Sequence, residues 1–230
     1  MRLDKFIATH SDASRTLAKT AIKHGQVKVN GVVVKDQGCK VSDEDEIVVH
    51  GVQISASGEV YIALYKPSGV LSSTGDDEEG ETVLDLVDGF THRPLHVAGR
   101  LDKDTTGLVL LTSDGAWSHR VTSPKFASEK VYHVTVLDPI DDEVVEIFQE
   151  GLMLRGEEKA TLPARLEVLG EREAHLTLTE GKYHQVKRMF GAIGNKVDTL
   201  ERISMGCVTL GDLEPGEFRE LSDAEVQSFL

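Results

Sequence analysis

The chain has 230 residues, 40% of them hydrophobic, with a net charge of −14. That supplies enough apolar material for one or two packed domains. No apolar run approaches the roughly 20 residues that cross a bilayer, and the opening Met-Arg-Leu-Asp-Lys is too charged for a secretory leader. Cys39 and Cys207 stand apart, without the spacing of a disulfide framework or a metal site, so a soluble, reduced, cytoplasmic protein is expected.

Charge is unevenly placed. Residues 1–40 hold eight Lys/Arg against three acids, while the remainder holds 17 against 36. A basic head on an acidic body suggests a separate anion-binding module. Within it, Leu3, Phe6 and Ile7 recur at helical spacing. Ser14 is a plausible N-cap for a second helix that runs to His24 and stops at Gly25. On that helix Leu17, Ala21 and Ile22 are expected to form an apolar stripe, and Arg15, Lys19 and Lys23 fall on one side at i, i+4 and i+8. A row of helix charges is usually a solvated face. Here the row is wholly positive in an acidic protein, which favours phosphate contact. Next, Val27–Val34 is centred on Asn30-Gly31, the dipeptide of a two-residue hairpin. A further strand is expected at 46–49, and a linker over Ser55-Ala56-Ser57-Gly58. Helix pair plus β-ribbon resembles the S4 RNA-binding domain. The resemblance implies an RNA-binding domain at 1–57, with Arg2, Lys5, Arg15, Lys19 and Lys23 facing RNA.

From residue 58 onward, short strands and helices alternate. Strands are predicted at 60–65, 130–137, 164–169 and 174–179. Helices are predicted at 141–150, through Val144, Ile147 and Phe148, and at 184–193, through Val186, Met189, Phe190 and Ile193. A last helix begins near Ser222, with Glu225 completing a capping box. Residues 75–81 read as an acidic, solvated loop. The sum is an α+β domain.

Gly99-Arg100-Leu101-Asp102-Lys103-Asp104-Thr105-Thr106-Gly107-Leu108 is dense in polar groups and runs into the apolar Leu108–Leu111. A turn capped by Asp and Thr side chains would account for part of it. Asp102–Thr106 also fits the Asp-x-Asp-x-Thr box of haloacid-dehalogenase-like phosphatases, which hold Mg²⁺. That box, however, follows an apolar strand near the start of a domain, and no downstream acidic pair presents itself. Gly-Arg-Leu-Asp-x-x-Thr-x-Gly-Leu instead resembles the central motif of the RsuA/RluA-type pseudouridine synthases. Lys130-Val131-Tyr132 and Gly181–Met189 fall where that family has its second and third motifs. The Tyr-His-Gln-Val-Lys-Arg-Met form of the third resembles members that act on small-subunit ribosomal RNA. Large-subunit members more often carry Arg-Gln-Val-Arg-Arg.

The resemblance implies a catalytic domain at 58–230, built on a mixed, mostly antiparallel sheet with a central cleft, with Asp102 as the essential carboxylate and Lys187 as its cationic partner. It implies that Tyr132 stacks on the uracil; the same strand face carries Val134 and Val136, which points all three inward. Arg100 could hold the flipped nucleotide's phosphate or fill the vacated stack. His184 and Gln185 are open to either a structural or a substrate role, and Asp104, Thr105 and Thr106 are expected to shape the loop. The implied reaction needs neither metal nor cofactor. The implied partner is ribosomal RNA or a small-subunit assembly intermediate, met by a monomer away from membranes, with uridine-516 the family's target.

Overall fold

The computed structural model describes residues 1–11, 13–42, 44–54, 58–74, 80–87 and 94–230. Of the expected segments, Ser55-Ala56-Ser57 of the linker and 75–79 of the acidic loop lie outside them. Two compact units emerge, one holding Met1–Val60, the other Tyr61–Val87 and Leu95–Leu230.

The first unit carries α1 (Leu3–His10), α2 (Arg15–Lys23), β1 (Val27–Val29), β2 (Val32–Val33), β3 (Ile47–Val49) and β4 (Val52–Ile54). Its four strands run in the order β2-β1-β3-β4. Ser14 caps α2 by accepting from the Leu17 amide. Asn30 and Gly31 both take positive φ, 51° and 79°, as a primed hairpin turn requires. A second such turn at His50-Gly51 (φ 52° and 84°) creates β4, which the sequence reading did not contain. Leu3, Phe6, Ile7, Ala18, Ile22 and Ile47 close a small core. Leu17 is a correction: it is 61% exposed, and Ala18 takes the inward position with Ala21 and Ile22. A nine-residue helix against a four-stranded ribbon buries a narrow stripe, and Leu17 falls one residue off it.

The second unit runs β5 (Tyr61–Lys66), β6 (His96–Ala98), β7 (Thr106–Thr112), α3 (Gly115–Thr122), β8 (Lys130–Val136), α4 (Glu143–Glu150), β9 (Arg165–Gly170), β10 (Glu173–Leu178), α5 (Gln185–Ala192), β11 (Val197–Met205), β12 (Val208–Thr209), β13 (Phe218–Glu220) and α6 (Asp223–Gln227). The sheet order is β13-β5-β7-β11-β8-β10-β9, with β12 on β11 and β6 on β7. Among the described residues β7 and β11 form the one parallel pair, and the remaining ladders are antiparallel. Trp117 of α3 stacks edge-on with Tyr61 and Phe229 at 5.1 and 5.2 Å, and its indole N–H donates to the Val226 carbonyl at 3.1 Å. The capping box forms as expected between Ser222 and Glu225.

The parallel contact is made at one place. Gly107 lies opposite Arg202, with φ +103°. A Cβ there would fall 2.6 Å from the Arg202 backbone nitrogen and closer still to its carbonyl oxygen, so glycine is required both for the dihedral and for the approach. The loop that carries Asp102 ends on this crossing.

Candidate active site

Asp102 sits on the loop between β6 and β7, where the Thr105 amide closes a turn by donating to the Asp102 carbonyl at 3.1 Å. Its side chain is about a quarter exposed, and each carboxylate oxygen has a cationic or polar partner. Lys187 Nζ donates to Oδ2 at 3.2 Å, and His184 Nε2 lies 3.3 Å from Oδ1. Both partners come from one element, because His184 is the N-cap of α5 and Lys187 stands in its first turn. His184 has φ +46°, an uncommon left-handed conformation for a residue with a Cβ. Its ring stacks on exposed Tyr183 at 3.8 Å.

Lys187 is shared. It also donates to Asp104 Oδ1 at 2.6 Å. Partial burial works against its ammonium, but the bonds to Asp104 and Asp102 outweigh that and raise its pKa. The Lys187 bond in turn holds the Asp104 carboxyl below the usual range. The arrangement keeps a full cation beside Asp102.

Two buried cations fasten the loop from behind. The Lys66 ammonium, with no exposed surface, donates to the carbonyls of Pro67, Val70 and Lys103 at 2.9, 2.8 and 3.1 Å. Burial pushes its pKa down to about 8, against the pull of Asp104 and Asp102. Arg202, 1% exposed, donates through Nε to the Leu108 carbonyl and through a terminal nitrogen to the Gly99 carbonyl, both at 2.7 Å. Those carbonyls bracket the segment from 99 to 108. Two directed bonds from one rigid fork therefore fix both ends of the loop.

Sequence reasoning did not contain Arg202 or Lys66. A usable signal existed for Arg202, which shares two-residue phase with buried Leu200 on β11. A charge on the apolar phase of a strand asks for a buried partner.

The other expected residues divide. Tyr132 is 9% exposed and faces inward with Val134 and Val136. It pairs across the sheet with Arg202 and Leu176, and makes no hydrogen bond or ion pair with Asp102 or Lys187. Gln185 is structural: it accepts from the Lys182 amide and donates to Glu180, both at 2.8 Å. Thr105 is buried with its hydroxyl unpartnered, whereas the Thr106 hydroxyl reaches the Leu200 carbonyl at 3.4 Å. Arg100 is exposed and lines a hollow with residues of β6 and α3. In the first unit Arg2 and Arg15 converge on fully buried Asp4, at 3.0 and 3.4 Å. Lys5, Lys19 and Lys23 are exposed. Among the described residues no cluster of His, Cys, Asp and Glu is arranged to hold a metal, and no helix is long and apolar enough to cross a membrane.

Residues 60–192 match the family described as RNA pseudouridylate synthase, and residues 1–47 match the S4 domain. The chain is 49% identical over 229 residues to ribosomal small subunit pseudouridine synthase A of Vibrio cholerae, covering 99% of each protein. It is 47% identical to the protein of the same name from Haemophilus influenzae, covering both completely. A crystal structure of a pseudouridylate synthase aligns over 100% of both chains, with a TM-score of 0.72 and 45% identity.

Proposed function

We propose, since this chain belongs to the RNA pseudouridylate synthase family, that it isomerises one uridine of 16S ribosomal RNA to pseudouridine, with Asp102 as the essential carboxylate and uridine-516 as the target. The observation that carries this reading is Asp102 held between Lys187 and His184 in a loop whose motif matches the family. End-to-end similarity to relatives named for the small subunit supports the substrate. Residues 1–57 serve as the RNA-binding domain and 58–230 as the catalytic domain. The setting is the cytoplasm, where a monomer meets its RNA.

The reaction breaks the uridine N1–C1′ bond, turns the uracil and joins C5 to C1′. The proton on C5 is lost to solvent and N1 gains one, so the product is an isomer. Asp102 needs to be ionised for each available route, whether it attacks C1′, adds to C6 or removes a sugar proton. Lys187 donates to its Oδ2 at 3.2 Å, and His184 Nε2 lies 3.3 Å from its Oδ1. A uridine in folded RNA must leave its stack first. Tyr132 then offers an aromatic face worth about 1–3 kcal/mol to the extruded base. Arg100 meets the backbone beside it.

Tritium release from RNA labelled at uracil C5 tests the reading. Release from small-subunit RNA alone is expected. Release only from large-subunit RNA would overturn the substrate, and none from any RNA would overturn the reaction.

Asp4 already neutralises part of Arg2 and Arg15, so of the five cations expected to face RNA, Lys5, Lys19 and Lys23 carry no ion pair among the described residues. Replacing Lys19 and Lys23 together by Ala should weaken RNA binding and lower the slope of log K against log salt by up to about 2. Filter binding across a salt series measures it. An unchanged slope would return that helix face to solvent.

A further inference from the structure

Arg100 opens on a hollow whose other polar walls include Ser72, Thr74, His96, Ser118 and His119. Among the described residues no carboxylate lines it, in a chain of net charge −14. The nearest acid in sequence, Asp114, is committed elsewhere. Its Oδ1 accepts the Ala116 and Trp117 amides at 2.9 and 3.0 Å, and its Oδ2 accepts the Tyr61 hydroxyl at 3.0 Å. The first turn of α3 is thereby capped, so the donors left to a ligand are side chains: a guanidinium, two imidazoles and hydroxyls.

The hollow is tied to the reacting loop. The Ser72 hydroxyl accepts from the Leu101 amide at 3.0 Å, and Leu101 stands between Arg100 and Asp102. A nucleotide whose C1′ lies at Asp102 has its flanking phosphates about one sugar away. Phosphate contacts of this kind fix register without reading sequence.

We propose that this hollow is a phosphodiester site, which takes a backbone phosphate flanking the extruded uridine through Arg100, His96, His119 and Ser118. The assignment rests on the reading that Asp102 acts on a uridine in RNA. It adds a second anchor, next to the chemistry, to the one carried by the basic head. An anchor there holds the strand while the base swings out and the uracil turns.

The test combines His96→Gln with His119→Gln in the full-length protein; both positions are exposed, so the fold should persist. On the modified RNA, KM should rise roughly tenfold, well beyond any fall in kcat, through loss of donors to a charged acceptor. The same RNA is then made with a neutral methylphosphonate at each phosphate flanking the target uridine. One such linkage should raise the parent's KM by a similar factor and add little in the double variant. Equal sensitivity of the two proteins at every linkage, or an unchanged KM in the variant, would overturn the site alone. Inorganic phosphate that inhibits the parent while methylphosphonates have no effect would also overturn it, since the hollow would then take free phosphate. Failure of the parent to turn over the RNA would sink the proposed function and this site with it.

Discussion

Asp102→Asn should bind its RNA as the parent does and form pseudouridine roughly a thousandfold more slowly or worse. The substitution conserves shape, so His184 and Lys187 lose little packing. What disappears is the anionic oxygen that every route requires. The fold should tolerate the change, because Lys187 keeps its 2.6 Å bond to Asp104 when its 3.2 Å partner is neutralised. Single-turnover assays with enzyme in excess separate the chemical step from binding, and filter binding reads affinity independently. Activity within tenfold of the parent would show that another group does the work. Loss of binding along with turnover would mean that the charge serves to receive RNA.

Arg202→Met should destabilise the catalytic unit by about 3 kcal/mol, since a buried and a partly buried carbonyl lose their donors at about 1–3 kcal/mol each. Relief of a buried charge opposes this, but the Leu108 carbonyl is left unpaired in the interior. Thermal unfolding should show a midpoint lower by on the order of 10 °C. Turnover measured well below that midpoint should also fall, because the loop bearing Asp102 loses its pin at both ends. Arg202→Lys keeps the charge but cannot span both carbonyls, so it should fall between. A methionine variant as stable as the parent would show that the loop is held by Lys66 and the Gly107 crossing alone.

Much of the fold was legible because it is locally encoded. Ser14, Asn30-Gly31 and the Ser222–Glu225 box each act within four residues, and each does what its chemistry predicts. Strand β8 declares itself by strict alternation, buried at Lys130, Tyr132, Val134 and Val136. Strand β11 does not. Val-Asp-Thr-Leu-Glu-Arg-Ile-Ser-Met mixes charge into both faces, and its place in the sheet comes from partners far away in sequence. Helix α3 hides for a different reason: it is eight residues long and buries only Trp117 and Val121, too few for a period to show.

The candidate site follows the same division. Asp102 and Lys187 could be named because their residue types at those positions carry a motif, and they meet at 3.2 Å. His184 reaches Asp102 only because its backbone adopts a left-handed turn, which no propensity of histidine announces. Arg202 and Lys66 act through carbonyl oxygens, which every residue possesses, so no side-chain pattern marks their partners.

The sharing of Lys187 between Asp102 and Asp104 bears on what happens once a carboxylate is consumed. If Asp102 becomes an ester to carbon, its charge vanishes, and a cation with no other neighbour would be stranded in a half-closed site. On the proposed reading Asp104 would prevent that. Its carboxylate already lies 2.6 Å from the ammonium, so Lys187 would keep a resident counter-ion while the adduct lives and regain its second when Asp102 is released. One lysine between two acids would then work as a two-position balance, changing the electric field at the sugar without any ion entering or leaving.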